Sequence, residues 1–315
     1  MAIGAGRFAP SPTSSLHLGN LRTALLAWLF ARSTGRPIRL RIEDLDTARV
    51  RAAGAVAVQQ QADLAALGLD FDGPVVWQSV RQESYLTAIA KLDTYPCFCT
   101  RREIAEASSA PNGPGAAVQD QGSGLAVTGE RPYPGTCRSL NSAQRAELAA
   151  TRPPALRVRA AGVTSTVDDV LFGHVSGEVD DFVLLRNDGT PAYNLAVVVD
   201  DIAMDVDQVV RGDDLLASAP RQAWLTEQLG GHKPTYAHVP LALNTTGQRL
   251  AKRDGPVSLS ELVASGRTPG QVLTRIAASV GLAEPDEAVT PRDLIGRFDP
   301  TRLPRHPWVV EPQAL

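Results

Sequence analysis

Apolar positions along the chain switch between two periods. Residues 20–34, NLRTALLAWLFARST, place Leu21, Ala24, Leu25, Trp28 and Leu29 on one face at helical spacing, and Gly35 is a natural stop. In IRLRIEDLD the spacing becomes two: Ile38, Leu40 and Ile42 alternate with Arg39, Arg41 and Glu43, as in a half-buried strand. Further helices are expected over about 52–67, ending at Gly68, and about 81–94, before YPCFCTRRE. Strand then helix, repeated, predicts a parallel sheet. The run LAVVVDD at 195–201 reads as a buried parallel strand ending in acids. DQVVRGDDLL follows as a strand and a turn at Gly212, and PRQAWLTEQLG as a helix. AHVPLAL is another strand, NTTGQRLAKRDG a loop, and the last 55 or so residues short helices broken by prolines.

Residues 106–131 break the pattern. They are rich in Gly, Ser, Ala and Pro with little to bury, which predicts a poorly ordered inserted loop. ALRVRAAG, at 155–162, contains a short strand within the mixed region 140–178. The expected division is 1–95 for the first half of a catalytic α/β domain and 96–179 for an inserted subdomain. The second half then covers 180–260, and 261–315 is a short helical region.

Composition adds bounds. The chain has 315 residues, a net charge of −3 and 43% apolar content, so charge alone points to neither a nucleic acid nor a membrane. No stretch of 18 apolar residues occurs and the first residues do not read as a signal peptide, so the expectation is a cytoplasmic protein. Three cysteines are no disulfide framework, yet all lie between Cys97 and Cys137.

The stretch FAPSPTSSLHLGN, residues 8–20, leads a strand end through a Pro-rich turn into a helix. A helix start offers unpaired N–H groups and a positive dipole, which suits phosphate. Gly19 permits close backbone approach and His17 adds a donor. Ser11, Thr13, Ser14 and Ser15 can cap the helix or bind phosphate.

Five ordered segments carry a resemblance. PSPTSSLHLGN, with His17, Leu18, Gly19 and Asn20, resembles the HIGH-type signature of class I aminoacyl-tRNA synthetases, and RLAKR at 249–253 resembles their KMSKS loop. RIEDLDTAR, DFVLLRNDGTPAYNLAVVVDD and VVRGDDLL are similar to the glutamyl-tRNA synthetase family. Two positions depart from the pattern: Asn20 stands for the last His of HIGH, and Ala251 for a hydroxyl residue. The implied fold is an α/β class I synthetase with a Rossmann-like parallel sheet, an inserted zinc-containing α/β subdomain and a short helical C-terminal region.

The resemblance implies ATP-dependent activation of glutamate. Its α-carboxylate attacks the α-phosphate of ATP and pyrophosphate leaves. The nucleophile is already anionic, so the enzyme aligns reactants and stabilises charge rather than supplying a base. His17 and Lys252 are the expected catalytic phosphate donors, Gly19 and Asn20 join them in ATP binding, and Mg²⁺ accompanies the phosphates. Arg7, Ser11, Glu43, Tyr193 and Arg211 are implied for the glutamate pocket. Arg7 and Arg211 offer planar forks that match carboxylates, and Glu43 suits the ammonium. Other partners stay open: Arg41 for Glu43, and Asp213 or Asp214 for Arg211. A glutamine would leave one guanidinium poorly matched, at about 1.5–3 kcal/mol, which favours glutamate.

Cys97, Cys99 and Cys137 make three-quarters of a structural zinc site. The resemblance supplies Tyr133 as the fourth ligand, with His174 or a water as alternatives; three unrelated buried thiols is the plain reading. Only 62 residues follow RLAKR, little for an anticodon-binding region. With the cysteine pair, this is similar to the glutamyl-Q tRNA(Asp) synthetase family, which attaches glutamate to queuosine in the anticodon of tRNA(Asp). The implied partners are glutamate, ATP and queuosine-bearing tRNA(Asp), with no membrane and no obligate protein partner. The alternatives are a shortened glutamyl-tRNA synthetase charging a tRNA 3′ end, an inactive zinc-stabilised RNA-binding relative, or a ligase with a small-molecule acceptor.

Overall fold

The computed structural model describes residues 3–46, 53–104, 133–160, 162–248, 250 and 257–311. Among these, strands β1 (Ala5–Phe8), β2 (Ile38–Ile42) and β3 (Val76–Trp77) form one wing of a seven-stranded sheet. Strands β9 (Val206–Gly212) and β10 (Thr235–Val239) form the other, continued by the hairpin β6 (Val163–Asp169) and β7 (Gly173–Val179). The order is β3-β2-β1-β9-β10-β6-β7, parallel except within the hairpin. The chain winds outward from β1 in one direction and from β9 in the other, so the order reverses between these two strands. Open α/β sheets bind ligands at the carboxyl ends of such a pair. Arg7 is on β1 and Arg211 on β9.

Helix α1 (Leu18–Ser33) connects β1 to β2. Its residues Leu21, Ala24, Leu25, Leu26, Trp28 and Leu29 are buried on every side, as a helix apolar all round must be. The sheet covers one flank. The other is covered by the C-terminal helices α7 (Leu259–Ala264), α8 (Pro269–Ala278) and α9 (Pro291–Ile295). Phe30 packs edge-on against Phe298 at 5.0 Å. The region after residue 260 is thus part of the catalytic core's packing. Helix α2 (Ala53–Ala66) follows β2, and α3 (Gln82–Ile89) is shorter than the expected 81–94, because Thr94 already begins a strand.

That strand, β4 (Thr94–Cys97), pairs antiparallel with β5 (Ala155–Val158), which pairs with β8 (Val183–Leu185). Helix α4 (Ser142–Ala149) sits in the same insertion. Strand pairing crosses the expected boundaries at 96–179: β8 lies beyond them, and the hairpin β6–β7 within them is the edge of the large sheet. The low-complexity stretch 106–131 lies outside the described residues.

One assignment is corrected. LAVVVDD is not a strand but part of helix α5 (Tyr193–Ala203). A short apolar run is ambiguous by period, and here Pro191 and Ala192 precede a helix whose buried face is Leu195 to Val198 and Asp200. Helix α6 (Ala219–Gln228) is where PRQAWLTEQLG predicts one. AHVPLAL is divided at Pro240 into β10 and β11 (Ala242–Leu243), which pairs with β12 (Trp308–Val309). No helix of the described residues is long and apolar enough to cross a membrane.

Candidate active site

His17 is the N-cap of α1. Its Nδ1 accepts from the backbone N–H of Gly19 at 3.1 Å and of Asn20 at 3.3 Å, while Asn20 Oδ1 accepts from His17 N–H at 3.1 Å. This reciprocal cap occupies the place expected of Ser11, Thr13, Ser14 or Ser15. It also gives Asn20 a structural task at the position where the signature has His. Because Nδ1 accepts, the neutral ring carries its proton on Nε2. Gly19 is required by contact rather than by dihedral angle: a Cβ there would lie 3.0 Å from His17 Cε1 and 3.2 Å from the Ala242 methyl.

Arg249, Ala251, Lys252 and Arg253 lie outside the described residues, so the expected role of Lys252 meets no geometry. Their flanks are described. Leu250 is buried in the core around α1. On the other side, Leu18 N–H donates to Val257 O at 2.8 Å, and His17 and Ser258 form a β-bridge. Leu250 and Val257, the described residues on either side, both lie against α1.

Across the sheet's switch point lies a cluster of charges. Arg7 is buried, donates from Nη1 to Val210 O at 2.9 Å, and has Nε 3.7 Å from Asp201. Burial lowers its pKa from the usual arginine value, and Asp201 opposes that. Arg41, fully buried, donates to Asp201 at 2.6 Å and to Glu43 Oε1 at 3.1 Å, and lies 3.8 Å from Asp200. Burial alone would weaken its charge, but the acids Asp201, Glu43 and Asp200 outweigh it and hold the guanidinium above its ordinary value. Burial likewise raises the Glu43 carboxyl, against the pull of Arg41 and Arg7. Glu43 thus has the neighbour Arg41, and the pair is buried, not a surface one. Asp200 is itself held by Gln78 at 2.8 Å, Arg81 at 2.6 Å and Tyr85 at 2.9 Å.

Arg211 does not pair with Asp213 or Asp214. Its Nε donates to His238 Nε2 at 3.0 Å, Nη1 to Gln222 Oε1 at 2.6 Å and Nη2 to Leu215 O at 3.3 Å. Gln222 is turned by its own bond to Asn194 at 2.9 Å. His238 bonds Asp169 through Nδ1 at 2.6 Å, and burial pushes its pKa down to about 4 despite that carboxylate. Tyr193, at the start of α5, is 41% exposed, yet it feels Arg211, Glu43, Arg7 and Arg41, so it stands on the wall of a concavity. Ser11 is exposed. Its carbonyl accepts from Gln60 at 3.1 Å, and Pro10 O accepts from Glu43 N–H at 3.0 Å, which brings the signature turn beside Glu43. Arg7, Glu43, Tyr193 and Arg211 are thus within electrostatic reach of one another. The sequence reading weighed Arg41 only as a partner of Glu43, and missed Asp201, Gln222, Asp169 and His238. His238 falls inside the strand pattern of AHVPLAL, which was the available signal.

A cavity of about 420 Å³ touches Leu18, Leu262, Arg267 and Arg275 among the C-terminal helices, and none of the candidate residues line it.

The cysteines form a second site. The Sγ atoms of Cys97, Cys99 and Cys137 lie within 4.8 Å of one another. The Tyr133 hydroxyl is 3.4 Å from Cys97 Sγ and 3.7 Å from Cys99 Sγ, and Cys99 Sγ is 3.5 Å from Cys137 Sγ. Thiolates tetrahedral about zinc stand roughly 3.8 Å apart, given Zn–S bonds near 2.3 Å, so the set fits such an ion. The hydrogen bond from Cys99, with the charge of Arg157 and against burial, pulls the Cys97 thiol down to about 4. Arg157 also lies 3.7 Å over the Tyr133 ring. His174 is elsewhere, exposed and paired with Asp168 at 2.6 Å.

The family model for tRNA synthetases class I (E and Q), catalytic domain, matches residues 5–315. A glutamyl-Q tRNA(Asp) synthetase of Nocardia farcinica is 55% identical over 99% of this chain and 94% of its own length. Glutamate–tRNA ligase 1 of Acidithiobacillus ferrooxidans is 37% identical over 93% of this chain but 60% of its own. A glutamate tRNA ligase structure from Elizabethkingia meningosepticum, in complex with its amino acid, superposes with a TM-score of 0.77 at 28% identity, covering 98% of this chain and 67% of that one. A chain with this switch-point cluster, this helix cap and this span of similarity belongs to the class I synthetases for glutamate and glutamine, and within them to the glutamyl-Q tRNA(Asp) synthetases.

Proposed function

We propose that the protein activates L-glutamate with ATP and transfers it to queuosine in the anticodon of tRNA(Asp). The observation that carries the first step is the placement of Arg7 and Arg211 on the two strands that flank the switch point, with Glu43 and Tyr193 beside them and the His17 cap at the next helix start. Glutamate has two carboxylates and one ammonium. Arg7 and Arg211 answer the carboxylates, with Tyr193 as a further donor. Glu43 takes the ammonium through the oxygen that Arg41 does not use, and Ser11 assists. The triphosphate lies along the N-terminus of α1, where the helix dipole, the His17 Nε2 proton and Lys252 meet negative charge, Gly19 lets it approach closely, and Asn20 holds the cap that sets the His17 ring. Mg²⁺ travels with the nucleotide and neutralises its phosphates.

The name shared by the relatives supports the choice of acceptor. Zinc would be held by Cys97, Cys99, Tyr133 and Cys137, where it would fix the base of the insertion and leave the reaction to other residues. ATP–pyrophosphate exchange without RNA tests the activation step. Exchange that depends on glutamate and is weak with glutamine supports the reading; exchange that is equal for both, or none at all, overturns it.

A further inference from the structure

We infer that His238 and Asp169 are positioning residues for glutamate: they hold Arg211 from behind, so that its two terminal nitrogens face the ligand. The inference rests on Arg211 as a glutamate ligand. Arginine has five N–H donors and no acceptor. Three of Arg211's are taken by His238, Gln222 and Leu215 O, which leaves one on each terminal nitrogen.

The His238 contact has only one polarity. Arg211 Nε–H can only donate, so His238 Nε2 must be bare. At the other end, Asp169 Oδ2 accepts from both the backbone N–H of His238 at 3.0 Å and Nδ1 at 2.6 Å, while Oδ1 accepts from Leu171 and Phe172 N–H at 2.9 and 3.0 Å. A carboxylate so surrounded by donors selects the Nδ1–H ring. Both ends thus demand the same tautomer. Side chains of His238 and Asp169 have no exposed surface, so water does not replace either partner. The pair is rigid by construction: His238 and Arg211 are register neighbours on β10 and β9, Asp169 ends β6 beside Tyr236, and the Tyr236 ring stacks on His238 at 5.7 Å. Neither His238 nor Asp169 bonds the ligand itself; both act through Arg211, which makes the pair a support rather than a reacting group.

The test is a set of variants read by pyrophosphate exchange, with one spectroscopic measurement on the native protein. His238→Leu should raise the KM for glutamate roughly ten- to hundredfold, as loss of a hydrogen bond to a charge does, with the KM for ATP unchanged and the preference over glutamine reduced. His238→Gln, whose side-chain oxygen reaches the place of Nε2, should restore most of it. In an Arg211→Gln background His238→Leu should add less than about twofold, since coupled residues are not additive. Long-range nitrogen–proton NMR of the native protein should find His238 protonated on Nδ1 and bare on Nε2. Protonated Nε2 overturns the inference even if the leucine variant does not fold. So does an unchanged glutamate KM in folded His238→Leu, or an equal rise in both backgrounds. If Arg211→Gln itself leaves the glutamate KM unchanged, the pocket assignment has failed first, and this inference with it.

Discussion

Among single residues, His17 does two things with one ring. Nδ1 caps the helix, which leaves the ring proton on Nε2, where the proposed function has it meet phosphate. Gly19→Ala separates the two tasks from stability. A methyl at that position presses on His17 and Ala242, so the ring must move, while alanine is a better helix residue than glycine. The expected result is a fall in the rate of adenylate formation of about tenfold or more with little change in Tm, measured by exchange kinetics and thermal unfolding. Lys252→Ala addresses the loop whose ends return to α1. It should slow adenylate formation and leave glutamate binding intact; equal losses in both would remove Lys252 from the transition state.

Between elements, strands β6, β9 and β10 are tied by Asp169, His238 and Arg211, and this tie has a pH signature. His238 is held near pKa 4 in the fold, against 6.5 for a free imidazole. The folded value is depressed, so the neutral form's contribution is fully present above pH 6.5. Below that pH the unfolded chain binds a proton that the native one refuses. Stability therefore falls by about 3 kcal/mol as pH drops from 6.5 to 4, at 1.36 kcal/mol per unit. Chemical denaturation across that range should show this slope in the native protein and a shallower one in His238→Gln. In the insertion, Cys97→Ser should lower zinc content and Tm together, measured by elemental analysis and calorimetry; unchanged stoichiometry would exclude the site as drawn.

Legibility also divides by element. Helix α1 and strand β2 were readable because each shows a clean period with a stop signal, Gly35 for the first. Arg7, Glu43 and Arg211 were readable as candidates because strand ends and motifs put them there. LAVVVDD was not, because a five-residue apolar run fits a buried strand and a buried helix equally. The helix also sets the roles of the acids: on α5, Asp200 and Asp201 face Arg41, and Asp201 also faces Arg7. Arg41 was hidden for a related reason, since an arginine in an alternating strand reads as solvent-facing until a facing helix brings acids to it. The Asp169–His238 link joins residues 69 positions apart in a sheet whose order no local pattern reveals.

At the scale of the whole molecule, the sheet's reversal between β1 and β9 supplies the cleft, and α1 and its cap supply one end of it. The C-terminal helices bury the far flank of α1, so trimming them should destabilise the catalytic site itself. What the cleft delivers glutamate to is the central question. The direct measurement supplies radiolabelled glutamate and ATP to tRNA(Asp) with and without queuosine, each lacking its 3′ adenosine, beside intact tRNA(Glu). The account predicts label on queuosine-containing tRNA(Asp) even without the terminal adenosine, and none on the others. Label confined to the 3′ end of tRNA(Glu) would contradict it.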